Sequence, residues 1–152
     1  MSKTLDVNLL VYAADQTAER HERARAFLDH VATTRSITYL FWPVLLGYLR
    51  IVTHSGILRS PLSPAAAIGD VDDLISRPQI VVVGEGERFW SDFKSVAAAT
   101  PPRGRLVPDA HLVALMLEHG VSTMWSGDRD FRKFDGISVK DPFDARYSAG
   151  FE

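Results

Sequence analysis

The stretch from Val107 to Phe131, VPDAHLVALMLEHGVSTMWSGDRDF, decides how this chain folds. Asp109 opens a segment that is otherwise almost wholly apolar. The pattern reads as a helix from Asp109 to His119, with Gly120 in the position that closes a helix C-terminus. Val121 to Trp125 then reads as a buried strand. Asp128 and Asp130 follow directly after it. A helix that precedes a parallel strand runs antiparallel to it, so its start lies at the strand's carboxyl end. Asp109 and Asp128 are therefore expected on one rim.

Outward from that stretch the elements alternate. Thr4 to Val7 reads as a short strand that ends at Asp6, and Asn8 to Ala14 as a helix. Glu19 to Val31 places Ala24, Phe27, Leu28 and Val31 at helical spacing. Ser36 to Leu40 is strand-like. Pro43 begins a helix that VLLGYLRIV continues. Ser63 reads as the N-cap of another helix. Gln79 to Val83 is β-branched, short and apolar, the pattern of a strand. Glu87 to Ala99 reads as helix, Ile137 to Val139 as a last strand, and a polar tail follows. The order β-α-α-β-α-α-β-α-α-β-β predicts an α/β fold, a mostly parallel central sheet with helices on both faces. In such sheets the functional crevice lies beyond the carboxyl ends of the strands.

Bulk properties narrow the classes. At 152 residues the chain has the size of one domain, here residues 1–152. It is 46% hydrophobic and 24% charged, ordinary for a soluble globular protein. Apolar runs stop well short of the roughly 18 residues of a membrane span. Asp6 and Asn8 interrupt the only N-terminal run that resembles a signal peptide. With no cysteine there are no disulfides and no thiolate metal site, which fits a cytoplasmic protein. A net charge of -2 excludes a globally basic nucleic-acid binder. A polyanion would need a local patch or a bridging metal ion.

The predicted fold gathers Asp6, Asp109 and Asp128 at one end of the sheet. Like charges brought together repel, and a divalent cation offsets that cost. Carboxylate oxygens without Cys or a His cluster suit Mg²⁺ or Mn²⁺ rather than zinc. Such ions serve phosphodiester hydrolysis. Each acid alone has a plainer reading: Asp109 after Pro108 as a helix cap, Asp6-Val7-Asn8 as a turn, SGDRDF as an ordinary Gly-containing loop. The joint placement at three matching ends carries the metal reading.

LDVNLLVYAAD (5–15), HERARAFLDH (21–30), GYLRIVTH (47–54), PDAHLVALMLEHG (108–120) and SGDRDFRKF (126–134), in this order and spacing, resemble the PIN-domain ribonucleases. Among these the chain is similar to the VapC-type toxins of bacterial toxin–antitoxin pairs. The resemblance implies a PIN-like three-layer sandwich and a Mg²⁺- or Mn²⁺-dependent endoribonuclease whose acids fall on Asp6, Asp109 and Asp128. It implies supporting roles for Asn8 and Ser126 and an additional acid at Asp130. It also implies an RNA substrate, a small VapB-type antitoxin as partner, and a homodimer.

One position departs from the family pattern. Gly47 stands where the family usually carries a Glu, and no carboxylate occurs between Asp29 and Asp70. This leaves open whether one metal or two is held. It also motivates the rival expectation of a module that binds RNA or antitoxin without cutting. A third reading, an aspartyl phosphotransferase or receiver-like domain, wants a suitably placed Lys or Thr, which Lys3, Lys94, Lys133 and Lys140 do not provide.

Arg50 shares a helix face with Gly47 and reads either as a phosphate contact or as a surface residue. Arg103 and Arg105 precede Asp109 in a loop and read equally as RNA-backbone contacts or solvated charge. Arg129, Arg132 and Lys133 flank the last acids as a candidate phosphate-facing patch. The five histidines show no metal spacing. Trp42, Trp90 and Trp125 read as core or interface, and VLLGYLRIV as a candidate dimer surface.

Overall fold

The computed structural model describes residues 2–152. Its strands are β1 (Lys3–Leu5), β2 (Thr38–Phe41), β3 (Ile80–Val83), β4 (Thr123–Trp125) and β5 (Ser138–Lys140). Its helices are α1 (Val7–Ala14), α2 (His21–Thr33), α3 (Trp42–Val52), α4 (Pro64–Ile75), α5 (Phe89–Ala99) and α6 (Leu106–Glu118). The order matches the alternation expected from the sequence. The sheet runs β3-β2-β1-β4-β5, and every pairing is parallel. The central pair aligns Leu5 with Trp125.

The helices form two groups. Contacts link α1 with α2 and α3, and α3 with α4, while α5 packs on α6. From β1 the chain steps outward to β2 and β3, then crosses back to β4. Right-handed crossovers put helices made on the outward steps on one face and those made on the return on the other. The reversal lies between β1 and β4. It is the topological switch point where such sheets open a crevice.

Helix α6 explains the apolar stretch of the opening sequence. Ala110 and Leu112 to Met116 are all buried, so this helix is covered nearly all round rather than along one stripe. Gly120 adopts φ +67° and ends it. The Val121 N–H donates to the Met116 carbonyl at 2.8 Å and the Gly120 N–H to that of Leu117 at 3.3 Å, the paired closure of a Schellman motif. Ser63 caps α4 as expected, its hydroxyl accepting from the Ala66 N–H at 3.1 Å.

Two expectations need correction. Helix α6 begins three residues before Asp109, with Arg105 at its N-cap. Asp109 is thus a residue of the first turn and not a cap. Pro108 sits inside that turn because the N–H it lacks would have no partner there anyway. The C-terminal tail is also not simply polar. Tyr147 and Phe151 are buried. The Trp125 ring lies 5.1 Å from that of Phe27 and 5.0 Å from that of Tyr147, and Phe151 stands edge-on to Phe27 at 5.2 Å. Arg23 on α2 fastens this segment. Its Nε donates to the Pro142 carbonyl at 2.9 Å and its guanidinium covers the Phe151 ring at 4.1 Å.

Helix α3 buries Val44, Leu45, Tyr48 and Val52 and leaves Trp42 and Leu46 exposed at 44% and 58%. Trp90 is also exposed, stacked on Phe93, whereas Trp125 is core. Among the described residues no helix is long and apolar enough to cross a membrane.

Candidate metal centre

The switch point delivers the acids from distant parts of the chain. Asp6 follows β1 directly, and its N–H extends the sheet by donating to the Trp125 carbonyl at 3.0 Å. It stands at the N-cap of α1, yet its side chain makes no capping hydrogen bond. Its Oδ2 instead accepts from the Ser126 hydroxyl at 3.0 Å. The same Ser126 oxygen accepts from the Asp128 N–H at 2.9 Å. One buried hydroxyl therefore joins the end of β1 to the loop after β4. Asp128 opens a short 3₁₀ turn, Arg129–Lys133, and its Oδ1 accepts from the Asp130 N–H at 2.9 Å. That turn swings Asp130 back toward Asp128.

Carboxylate oxygens of Asp109, Asp128 and Asp130 lie within 4.8 Å of one another. This trio contains Asp130, to which the family resemblance assigned only an additional role, where Asp6 was expected. Asp6 is set deeper, at 5% exposure, with one oxygen turned to Ser126. It remains part of the same electrostatic unit. Burial raises the Asp6 carboxyl above its usual range, and the charge of Asp128 adds to this. The Ser126 hydroxyl and the nearby N–H groups of Val7 and Asn8 pull the other way.

Asp109 shows the strain of the cluster most clearly. Its carboxyl is pushed up to about 6, first by burial and then by the charges of Asp128, Asp6 and Asp130. Lys133 is the one opposing charge. Its Nζ lies 2.9 Å from Asp130 Oδ1 and holds that carboxyl below the usual range. Arg105 adds to the same lowering, so this loop cation stands near the acids. Four carboxylates with so little compensation make a hard-oxygen donor set that fits a divalent cation.

The other candidates separate. Asn8 is exposed on α1 and borders a cleft of about 230 Å³ with Tyr12, Arg20, Gly127 and Asp128. Arg50, Arg103 and Arg129 are exposed and make no ion pair or side-chain hydrogen bond among the described residues. A Cβ built on Gly47 would meet nothing closer than Val7 Cγ2 at 3.6 Å, so the position faces the start of α1, next to Asp6. His111 and His119 serve the β3–α5 loop. His111 Nε2 lies 2.5 Å from Glu85 Oε1, and His119 Nε2 lies 2.8 Å from the Gly84 carbonyl. Tyr12 and Arg20 were not foreseen. Tyr12 comes to the site from α1 and Arg20 from the N-cap of α2, and nothing local in the sequence marks them. A larger cavity, about 240 Å³, lies among α1 to α4 and shares no residue with the acids.

Comparison with known proteins supports this reading of the fold. The PIN domain family model matches residues 3–137. Ribonuclease VapC48 of Mycobacterium tuberculosis is 48% identical over 143 residues, covering 94% of this chain and 99% of the relative. Ribonuclease VapC43 of the same species is 34% identical over 142 residues, covering 93% and 96%. Among solved structures, VapBC2 from Rickettsia felis, bound to a DNA fragment from its promoter, aligns with a TM-score of 0.67 at 13% identity. That alignment covers 93% of this chain and 98% of the other. The second of these agreements rests on sequence along nearly the whole length, the last on fold alone. Together with acids at the β1–β4 switch point, they establish that the chain belongs to the PIN-domain family, in its VapC branch.

Proposed function

We propose that the protein is a Mg²⁺- or Mn²⁺-dependent endoribonuclease and the toxin of a type II toxin–antitoxin pair. The carrying observation is the convergence of Asp109, Asp128 and Asp130, with Asp6 behind them, in a chain nearly half identical to a relative named as a ribonuclease. Asp6, Asp109 and Asp128 would hold the ion, with Asp130 as a further acid. Bound there, such an ion supplies acidification of a water and neutralisation of charge on the phosphate. The chain's own part is to keep the donors in place. Ser126 fixes the Asp6 carboxylate and the Asp128 backbone at once, and Lys133 steadies Asp130. Asn8 borders the approach, and Arg105 offers positive charge beside the acids. Arg50, Arg103 and Arg129 remain exposed cations available to RNA phosphates.

The partner we propose is a small VapB-type antitoxin, since the solved neighbour is a VapBC assembly. We also propose a cytoplasmic homodimer that buries the apolar face at Trp42 and Leu46. Purified protein incubated with labelled RNA, with Mn²⁺ or with EDTA, tests the enzyme. Cleavage that needs the metal and vanishes in Asp128→Asn supports it. Tight RNA binding without cutting in Mn²⁺ would refute it and favour the non-catalytic module that Gly47 suggests.

A further inference from the structure

The cleft beside Asp128 has one wall that the metal reading does not use. Arg20, the residue at the start of α2, lies with its guanidinium 4.4 Å from the Phe143 ring centre and 6.0 Å from that of Tyr12. Those two rings meet edge-on at 5.9 Å. A Cβ on Gly127 would stand only 3.0 Å from Arg20 Nη1 and 3.1 Å from Phe143 Cδ2. The guanidinium therefore reaches the loop one residue before Asp128, where a Cβ would require it and the Phe143 ring to give by a few tenths of an ångström.

The charge of Arg20 has no carboxylate partner among the described residues. Among the described residues it forms no ion pair within 4.0 Å and no side-chain hydrogen bond, although Asp128 lines the same cleft. A guanidinium held on an aromatic face keeps its planar fork of N–H donors available. The cleft thus holds the Arg20 cation and, across from it, one carboxylate of the acid cluster, Asp128. A phosphate next to one held at the acids would meet that cation, because Arg20 and Asp128 line the same cleft.

Resting on the ribonuclease reading, we propose that Arg20 is a phosphate-contacting residue that holds the single-stranded RNA backbone in the Asn8–Tyr12–Gly127 cleft beside the scissile group. Arg20 positions the substrate and takes no part in proton transfer. The purely structural rival is a strut: Arg20 stacks on Phe143 only to pin the C-terminal segment, as Arg23 does on Phe151.

Two variants separate these. Arg20→Met keeps a long apolar side chain on the ring without the charge, and Arg20→Lys keeps the charge. Each is measured for thermal midpoint and for binding of a fluorescein-labelled, random-sequence single-stranded RNA in Ca²⁺, a hard cation that oxygen donors accept, across a salt series. Cleavage in Mn²⁺ is measured alongside. A phosphate contact lowers the affinity of Arg20→Met about tenfold or more. It also flattens the slope of log affinity against log salt by about 0.7. KM rises more than kcat falls, and Arg20→Lys recovers part of the loss. Should Arg20→Met bind with wild-type affinity and slope while wild type cuts RNA, the Arg20 assignment fails alone. Should wild type neither bind nor cut RNA, the ribonuclease reading fails and takes this one with it.

Discussion

Asp109→Asn should stabilise the metal-free protein. The Asp109 carboxyl is raised from 3.8 to about 6 by burial and by the neighbouring acids. A raised folded value means that folding favours the protonated acid. Its stability contribution is fully present below pH 3.8 and is lost as the pH climbs through about 6. At 1.36 kcal/mol per unit the shift corresponds to about 3 kcal/mol at neutral pH. Asp109 is only half-buried, so solvent screening reduces this to about 1–1.5 kcal/mol. For a chain of this size that is a rise of about 2–6 °C in the thermal midpoint. The assay is a melt of both proteins in EDTA at pH 7.5 and again near pH 4. Asn carries no charge to repel, so Asp109→Asn should lead at pH 7.5, and the gap should close in acid. Saturating Mn²⁺ should reverse the order, because an ion at about 100 times its Kd adds about 2.7 kcal/mol to the chain that binds it. A variant that melts below wild type at pH 7.5 in EDTA, or a gap indifferent to pH, would refute the claim that these acids repel one another in the folded state.

Ser126→Ala removes the hydroxyl shared by Asp6 and Asp128, a contact to a charged group worth about 1.5–3 kcal/mol. Weaker Mn²⁺ binding by calorimetry and slower RNA cleavage are expected, with unchanged metal affinity the contrary result. Gly47→Glu has room at its Cβ and improves helix propensity by about 0.5 kcal/mol. It should raise Mn²⁺ affinity or stoichiometry, and a titration identical to wild type would show that the side chain does not reach the acids. Phe151→Ala should cost about 3 kcal/mol, a fall of about 6–12 °C in the midpoint. A change under about 2 °C would mean that the C-terminal ring contributes little to the core.

The architecture was legible because its signals are local. Strand β3 is a β-branched run, α4 has Ser63 and Pro64 at its start, and Gly120 stops α6. Uniform apolarity between Asp109 and Gly120 reflects a helix enclosed by α5 and the sheet. The beginning of α6 was not legible, since Pro108 looks like a boundary and is tolerated within a first turn. Tyr147 and Phe151 were missed because they are sparse apolar residues in a polar string with no period. Trp125, Phe27 and Arg23, distant in sequence, make them core. For the site, strand-end logic placed Asp6, Asp109 and Asp128 at one rim. The prominence of Asp130 depends on a 3₁₀ turn that two-residue spacing does not announce. The Arg20 wall joins residues from three separate segments, and no sequence pattern spans them.

The neighbouring positions of β1 and β4 have a consequence for synthesis. Asp6 leaves the ribosome about 120 residues ahead of Ser126, Asp128 and Asp130. The carboxylates cannot assemble until Trp125 pairs with Leu5, so a nascent chain short of that point has no site.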